Sequence, residues 1–262
     1  MKRPTGSDPG GTLAVKGGLH TPSSEDLVRI WEFGRGRPRW FRALLILGPS
    51  LPWATHRELA EMSVGRRNAL LLRLRERLFG ETFDASVTCP ECSERLDFPL
   101  TTSELFGEEV RDPLREDFTP DQFSVSWLGR KYNFRVPSSL ELARVDVASL
   151  DLQPELLGRC LYGQDEESEA ALSEDVVRLA IDEWGLSDPM AELGVYLRCA
   201  VCEADWESPF EPVEFLWSEI EAEAKQLLGE VVLLARAYGW TEAEVLALDP
   251  SRRRFYLDAS TP

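Results

Sequence analysis

The sequence predicts an α+β protein: helical amino- and carboxy-terminal parts around a small antiparallel sheet that carries two CxxC knuckles, together one four-cysteine, zinc-ribbon-like site. Three observations predict it. Apolar residues recur at helical spacing before Gly80 and after Pro212. Between these points they alternate with polar residues in short runs. Two of the alternating hairpins turn at a Cys-x-x-Cys.

Residues 1–24 are rich in Gly, Pro and Ser without periodicity and read as a flexible leader. Residues 25–80 form a helical, Arg-rich part. Ser24 is placed to cap a short helix holding Leu27, Ile30, Trp31 and Phe33, and Gly34, Gly36 and Pro38 mark the turn that follows. Trp40 to Leu47 reads as a second, largely buried helix closed by Gly48-Pro49. In a third, Arg66 to Phe79, Leu70, Leu71, Leu74 and Leu78 give the apolar face, and Arg66, Arg67, Arg73, Arg75 and Arg77 supply most of the positive charge. Residues 81–210 are the β-containing region. Phe83, Ala85 and Val87 lead to Cys89 and are answered by Leu96, Phe98 and Leu100 after Cys92. Phe123, Val125 and Trp127 are answered by Tyr132, Phe134 and Val136 across Gly129-Arg130. Ser138 with Glu141 has capping-box spacing, and further helices are expected near 152–162 and 173–184. Ala191 to Cys199 and Glu203 to Phe210 repeat the strand, cysteine turn, strand arrangement. Residues 211–262 return to helix: Pro212 to Leu234, a break at Gly239, a second capping box at Thr241 and Glu244, and a last helix from Pro250 with Phe255, Tyr256 and Leu257.

The 262 residues include 29 Lys+Arg against 46 Asp+Glu, a net charge of −17, and 43% of them are hydrophobic. That apolar share supports a core, as one large domain or two small ones, and argues against a disordered acidic tail. Acidity of this size opposes non-specific binding to nucleic acid or anionic lipid. The charge is divided unevenly: Leu27 to Gly80 holds 11 Arg and 4 acidic residues, whereas residues 81–262 hold 15 basic and 39 acidic ones. Such a split either draws the two parts of the chain together or presents two differently charged docking faces. The longest apolar run, Ala43-Leu44-Leu45-Ile46-Leu47, is far short of the roughly 18–20 residues of a membrane span. Met1-Lys2-Arg3 begins like a signal peptide, but Gly, Pro, Asp and Ser follow in place of an apolar segment. Five cysteines, two CxxC pairs and one left over, do not make a secreted disulfide framework. The expectation is a soluble protein of the reducing cytoplasm.

Cys89-Pro90-Glu91-Cys92 and Cys199-Ala200-Val201-Cys202 are the strongest chemical signal. Two intervening residues let a tight turn aim both thiolates at one ion. Two knuckles complete a tetrahedral set that suits zinc and leaves no vacant coordination position. The predicted metal ligands are therefore Cys89, Cys92, Cys199 and Cys202 around one structural zinc ion. The gap of 106 residues between the knuckles is too long for a compact ribbon, so a shared ion ties together the ends of an intervening subdomain. The flanks repeat as well: with Cys89 aligned to Cys199, Asp97 meets Glu207, Pro99 meets Pro209, Leu100 meets Phe210, Glu104 meets Glu214 and Leu105 meets Phe215. The competing readings are a coincidence of CxxC pairs and a thioredoxin-like redox pair, which neither knuckle's setting favours. Cys160, after Leu156-Leu157, reads as a small buried hydrophobe.

Other chemistry finds little support. No phosphate-binding glycine loop and no HExxH helix is present. His20 in the leader and His56 in a loop read as surface residues, and no nucleophile has a recognisable base, so no catalytic residue is assigned and an enzyme is not expected. Gly34-Arg35-Gly36-Arg37-Pro38-Arg39, with Arg66 and Arg67, gives an alternative: a zinc-ribbon regulator binding nucleic acid. Glu91, Glu94, Glu203 and Asp205 beside the knuckles oppose it. Trp31, Trp40, Trp184, Trp217 and Trp240 fall where helical periodicity buries them, and serve either as core or as contact surface for a partner.

The run from Glu230 to Leu257 resembles the ending of small baseplate proteins from contractile phage tails and phage-like injection systems. The likeness lies in Ala237-Tyr238-Gly239-Trp240, the Glu-rich turn to Val245-Leu246-Ala247-Leu248, and Arg252-Arg253-Arg254 before Tyr256-Leu257. Leu27 to Arg42, Gly65 to Gly80 and the knuckle pairs resemble one branch of the same group, the baseplate hub assembly chaperone family. The resemblance implies an assembly factor that binds baseplate or hub subunits in the cytoplasm of the producing cell. A permanent baseplate component is the close alternative, since the carboxy-terminal motif recurs in proteins with different places in tail assembly. Physically, Tyr238-Gly239-Trp240 sets two aromatics around a helix break, and Arg252, Arg253 and Arg254 are expected to point outward. The segment reads as a recognition hook or as a packed helical corner. On the first reading the partner-binding residues are Arg35, Arg37, Tyr238, Trp240, Arg252, Arg253 and Tyr256.

Overall fold

Capping side chains set the helix starts. In the computed structural model, which describes residues 18–106, 121–145, 152–163 and 172–260, Ser23 rather than Ser24 opens α1 (Ser24–Gly34). The Ser23 hydroxyl accepts the Asp26 N–H, and the Asp26 carboxylate accepts the Ser23 N–H. α2 (Arg39–Ser50) runs on through Pro49 instead of stopping before it. Pro49 forfeits one backbone bond, but Ser50 Oγ donates to the Ile46 carbonyl and the Leu51 N–H to that of Leu47, so the last turn closes. His56 lies not in a loop but at the start of α3 (His56–Glu61), which a Thr55–Glu58 capping box nucleates. Ser63 then caps α4 (Val64–Phe79). Residues 1–17 of the expected leader lie outside the described residues. Its later part is tied down, because Leu19 is buried in the core and the His20 N–H bonds the Ser50 carbonyl.

Among the described residues the centre of the chain holds three small antiparallel sheets where one was expected. Among the described residues β1 (Thr82–Thr88) pairs only with β2 (Arg95–Thr101), and β6 (Leu193–Arg198) only with β7 (Asp205–Phe210). β3 (Gln122–Trp127) pairs with β4 (Arg130–Arg135), to which the two residues of β5 (Leu161–Tyr162) add an edge. Short helices join them: α5 (Thr102–Leu105), α6 (Ser139–Leu142) with the Ser138–Glu141 capping box, α7 (Leu152–Cys160) and α8 (Glu174–Ser187). The chain ends in α9 (Pro212–Tyr238), α10 (Glu242–Leu246) and α11 (Pro250–Ser260). α9 outruns its expected end at Leu234 because Ala235 to Tyr238 contain no helix breaker. It stops where Gly239 takes a left-handed φ of 72°.

Three apolar clusters follow. Helices from the two ends of the chain share the largest: Ile30, Leu47, Leu71 and Leu74 meet Leu216, Ile220 and Leu227 of α9. A second cluster, with Phe123, Phe134, Leu157, Cys160 and Val176, is built wholly from residues between the knuckles. A third, with Leu72, Phe83, Leu100, Leu105 and Met190, lies under the two cysteine hairpins.

Two arginines expected to add surface charge to α4 are buried instead. Arg67 and Arg75 stand at helical spacing with Leu71, Leu74 and Leu78, so their side chains enter the core with that stripe. Arg75 reaches Glu219 of α9 at 2.8 Å, donates to the Thr82 carbonyl, and lies over the Phe83 ring at 4.5 Å. Arg67 bonds Ser139 and Asn68, and burial lowers its pKa to about 10, so it remains charged at neutral pH. Beside it, Asp188 at the end of α8 accepts the Gly65 N–H at 2.8 Å and the Ser63 hydroxyl at 3.1 Å. Gly65 is required here: a Cβ would enter the space of the Asp188 carboxylate. Burial pushes Asp188 up to about 6, outweighing the two donors that favour its carboxylate.

An acid whose folded pKa lies above its unfolded value near 3.9 binds more protons in the folded state, so its contribution weakens as pH rises through that interval. Urea denaturation of Asp188→Asn and wild type between about pH 4 and pH 6.5 checks this: wild type is expected to lose stability relative to the variant as pH rises. Asp188→Ala, which leaves the buried Gly65 N–H unpaired, is expected to cost about 1–3 kcal/mol.

Candidate metal centre

Each knuckle is a turn closed by its own backbone. The Cys89 N–H donates to the Glu94 carbonyl at 2.8 Å and the Ser93 N–H to the Cys89 carbonyl at 3.0 Å. The second turn repeats this with Cys199 and Ala204 at 2.9 Å and with Glu203 and Cys199 at 3.0 Å. The residue after the second cysteine is left-handed in both, Ser93 at φ 61° and Glu203 at φ 60°. A non-glycine residue adopts that conformation at some cost, and here it turns the chain from the second cysteine back into the returning strand.

The two turns meet tip to tip. Cys89 Sγ lies 3.7 Å from Cys202 Sγ, and Cys92 Sγ lies 3.6 Å from Cys199 Sγ. All four sulfurs fall within 4.8 Å of one another. A tetrahedron of thiolates around zinc at about 2.3 Å has sulfur–sulfur edges of about 3.8 Å, so the four cysteines fit one metal ion. The exchange is reciprocal: the first cysteine of each knuckle, buried, faces the exposed second cysteine of the other. The repeat read from the flanks also extends outward. Ser63 before α4 corresponds to Ser173 before α8, and Thr102 opening α5 to Pro212 opening α9, at the spacing that separates Cys89 from Cys199.

Below the sulfurs, aromatic packing holds the hairpins together. Phe83 of the first lies 4.5 Å from Phe215 and 5.9 Å from Phe210 of the second block, and Phe210 lies 5.6 Å from Phe215. The sulfurs themselves are electrostatically unequal. Backbone N–H groups of Cys202 and Val201 pull Cys199 down to about 6. The Glu94 N–H acts in the same sense on Cys92, yet desolvation and the sulfurs of Cys202, Cys199 and Cys89 leave it raised to about 12. Four thiolates this close repel one another unless a cation sits among them, which is the chemistry of a metal centre. Cys160 is apart from the group, in the second apolar cluster, with burial pushing its thiol up to about 12.

The residues expected to bind partners fall into two groups. Arg35 and Arg37, in the α1–α2 turn, are exposed and lie over the rings of Trp31 at 5.1 Å and Phe41 at 5.4 Å. Tyr238, Trp240 and Tyr256 form one ring cluster where α9 meets α11. Tyr238 stacks on Trp240 at 4.8 Å, Tyr256 stands edge-on to Trp240 at 4.9 Å, and the Tyr238 hydroxyl donates to the Tyr256 carbonyl. Arg252 and Arg254 are exposed, as expected. Arg253 is a correction: it is buried, pairs with Glu230 at 2.7 Å and donates to Ser24 Oγ at 3.0 Å. One turn of α11 faces α9, so three consecutive arginines cannot all point outward; Arg253 clamps α11 and α1 to α9. Arg67, counted toward a nucleic-acid surface, is likewise buried. Among the described residues, no helix is long and apolar enough to cross a membrane.

Comparison of the chain with protein-family models, with curated proteins and with solved structures returned no match.

Cys89→Ser or Cys199→Ser is expected to lower metal content and melting temperature together. Elemental analysis of the purified variants checks it, and full metal content in both would exclude a shared site. Because ligands must be deprotonated to bind metal, acidification of wild type is expected to release the ion and lower stability, with the released metal followed by a chromogenic chelator.

Proposed function

We propose that the protein is a chaperone-like assembly factor for the baseplate or hub of a contractile phage tail or phage-like injection system. It acts by protein–protein binding without turnover, and its four-cysteine centre holds one structural zinc ion. The assembly reading is carried by the run Ala237 to Leu257, whose likeness to small baseplate proteins is joined by a physical property. That run sets the part-exposed rings of Tyr238, Trp240 and Tyr256 beside the exposed Arg252. Aromatic side chains and arginine are the residue types on which binding energy concentrates.

Zinc is supported by the all-sulfur donor set and its tetrahedral spacing. Cys89, Cys92, Cys199 and Cys202 would hold it, and four sulfur donors complete its coordination, so what it supplies is a cross-link. Elemental analysis distinguishes zinc from iron, the other metal for which a tetrahedral sulfur set is suited.

Affinity purification of the tagged protein from producing cells tests the role. Hub or baseplate subunits are expected to accompany it in free assembly intermediates; recovery in finished particles would identify a permanent component instead. Arg252→Glu is expected to weaken that recovery about tenfold, equivalent to about 1.4 kcal/mol, with the melting temperature unchanged. Failure to recover any tail subunit, together with salt-dependent binding of duplex DNA, would favour the nucleic-acid regulator.

A further inference from the structure

β6 and β7 form a two-stranded sheet, so each strand leaves one edge without a backbone partner among the described residues. The bond from the Cys199 N–H to the Ala204 carbonyl sets the phase of the ladder. Leu197 with Trp206, Val195 with Ser208 and Leu193 with Phe210 therefore exchange bonds inside the hairpin. The backbone groups of Gly194, Tyr196 and Arg198 point away from β7, and those of Asp205, Glu207 and Pro209 away from β6. The β7 edge is blunted, since Pro209 has no N–H to donate and Asp205 and Glu207 line it with carboxylates. Pro99 blunts the outer edge of β2 in the same way, and the outer edge of β1, with Asp84, Ser86 and Thr88, offers no apolar contact. The β6 edge carries neither proline nor carboxylate.

Gly194, Tyr196 and Arg198 are all exposed, Tyr196 at 82%. An aromatic ring standing so far out of a strand is a large contact surface left unused within the chain. These three residues share the outer face of the hairpin with Glu207, which faces Tyr196 across the ladder, and with Pro209, which faces Gly194. The Glu207 side chain leans over Gly194, where a Cβ would collide with its carboxylate. Glycine inside a strand marks a place that another group approaches closely. Here it lets a carboxylate of β7 lie across β6.

We propose that the β6 edge pairs antiparallel with the same edge of a second copy of this chain, about a two-fold axis at Tyr196, so that two hairpins join into one continuous sheet. In this register the two Tyr196 backbones exchange bonds with each other, and Gly194 exchanges bonds with Arg198 of the second copy. Every outward backbone group from Gly194 to Arg198 then has a partner. The two Tyr196 rings stand side by side on one face. Arg198 faces a residue without a side chain, over which the Glu207 carboxylate of the second copy lies, and the axis repeats this contact. Charge therefore selects self-pairing at β6, whereas the same symmetry at the β7 edge would set Glu207 against Glu207. Arg198 gives up only its exposed contact with Glu203 at 3.3 Å, which is worth little. The proposal goes beyond the contractile-tail reading and does not depend on it.

Sedimentation velocity of the full chain from micromolar to submillimolar concentration tests this. A monomer–dimer equilibrium is expected, loosening as salt screens the contacts between Arg198 and Glu207. Tyr196→Pro removes the N–H that donates at the axis, at an edge position of the kind that Pro99 and Pro209 already occupy, and is expected to abolish the dimer. Arg198→Glu is expected to weaken dimerisation about tenfold or more, and so is Glu207→Arg. Combined, the two substitutions are expected to restore it, with the melting temperature of wild type kept throughout. The charge exchange leaves the backbone untouched, so it decides the matter whether or not Tyr196→Pro folds. A monomer at every concentration would overturn the proposal, as would a dimer that Arg198→Glu leaves intact or a double variant no tighter than the single ones.

Discussion

Cys89 and Cys92 reach Cys199 and Cys202 only if everything between them leaves the first hairpin and returns to the second. That return dictates the architecture. The intervening residues supply their own apolar cluster around Phe134, Leu157 and Val176, so the excursion is a folded subdomain. Linking positions roughly a hundred residues apart removes about 4–5 kcal/mol of loop entropy from the unfolded chain in the chain-entropy picture, and the cost of closing such a loop grows only slowly with length. Phe83, Phe210 and Phe215 share the task by packing the hairpin bases together. An ion among the sulfurs would therefore lock a junction that apolar burial already favours.

The near-equivalence of the halves explains why closure takes place at the tips. Each block runs helix, strand, knuckle, strand, helix start, with Ser63 and Ser173 opening the leading helices. Two such units meeting reciprocally pair each buried sulfur with the other's exposed one. The equivalence breaks in the trailing helices. α5 stops at Leu105, whereas α9 runs to Tyr238 and becomes the spine against which both ends of the chain pack.

Local signals in the sequence were sufficient for most of the elements and for the four cysteines that the fold brings together. Alternation around Cys89 and Cys199 predicts both hairpins, and Thr241 with Glu244 forms the capping box that its spacing predicts. Long-range consequences were not legible in the same way. Alternation marks strands but not which strands pair, so one predicted sheet became three. The fate of the arginines turned on side-chain direction. Arg67 and Arg75 share the leucine stripe of α4, a placement their spacing contains, but only a buried partner such as Glu219 or Ser139 makes it tolerable. Arg253 was hidden similarly, because Glu230, more than twenty residues earlier, receives it.

The segregation of charge along the chain left two possibilities open, internal attraction and separate docking faces, and the structure shows the first. Arg39 and Arg42 meet Glu214, Arg75 meets Glu219, and Arg253 meets Glu230. α9 thus takes up charge from α2, α4 and α11 at different points around its axis. The more buried of these contacts lie where water screens least, so they fix how the helices approach, whereas exposed pairs such as Arg57 with Glu61 contribute little. Arg42 adds the Trp217 face at 4.4 Å to its carboxylate, joining apolar and ionic contact in one side chain. Of the remaining amino-terminal arginines, Arg29, Arg57 and Arg73 pair within their own helices and Arg67 is buried, whereas Arg35 and Arg37 rest on aromatic rings without a carboxylate partner among the described residues. Arginines taken up by α9, or buried like Arg67, set how the helices approach one another, so much of the basic character of the amino-terminal part is structural, an outcome that a net charge alone could not separate from a docking face.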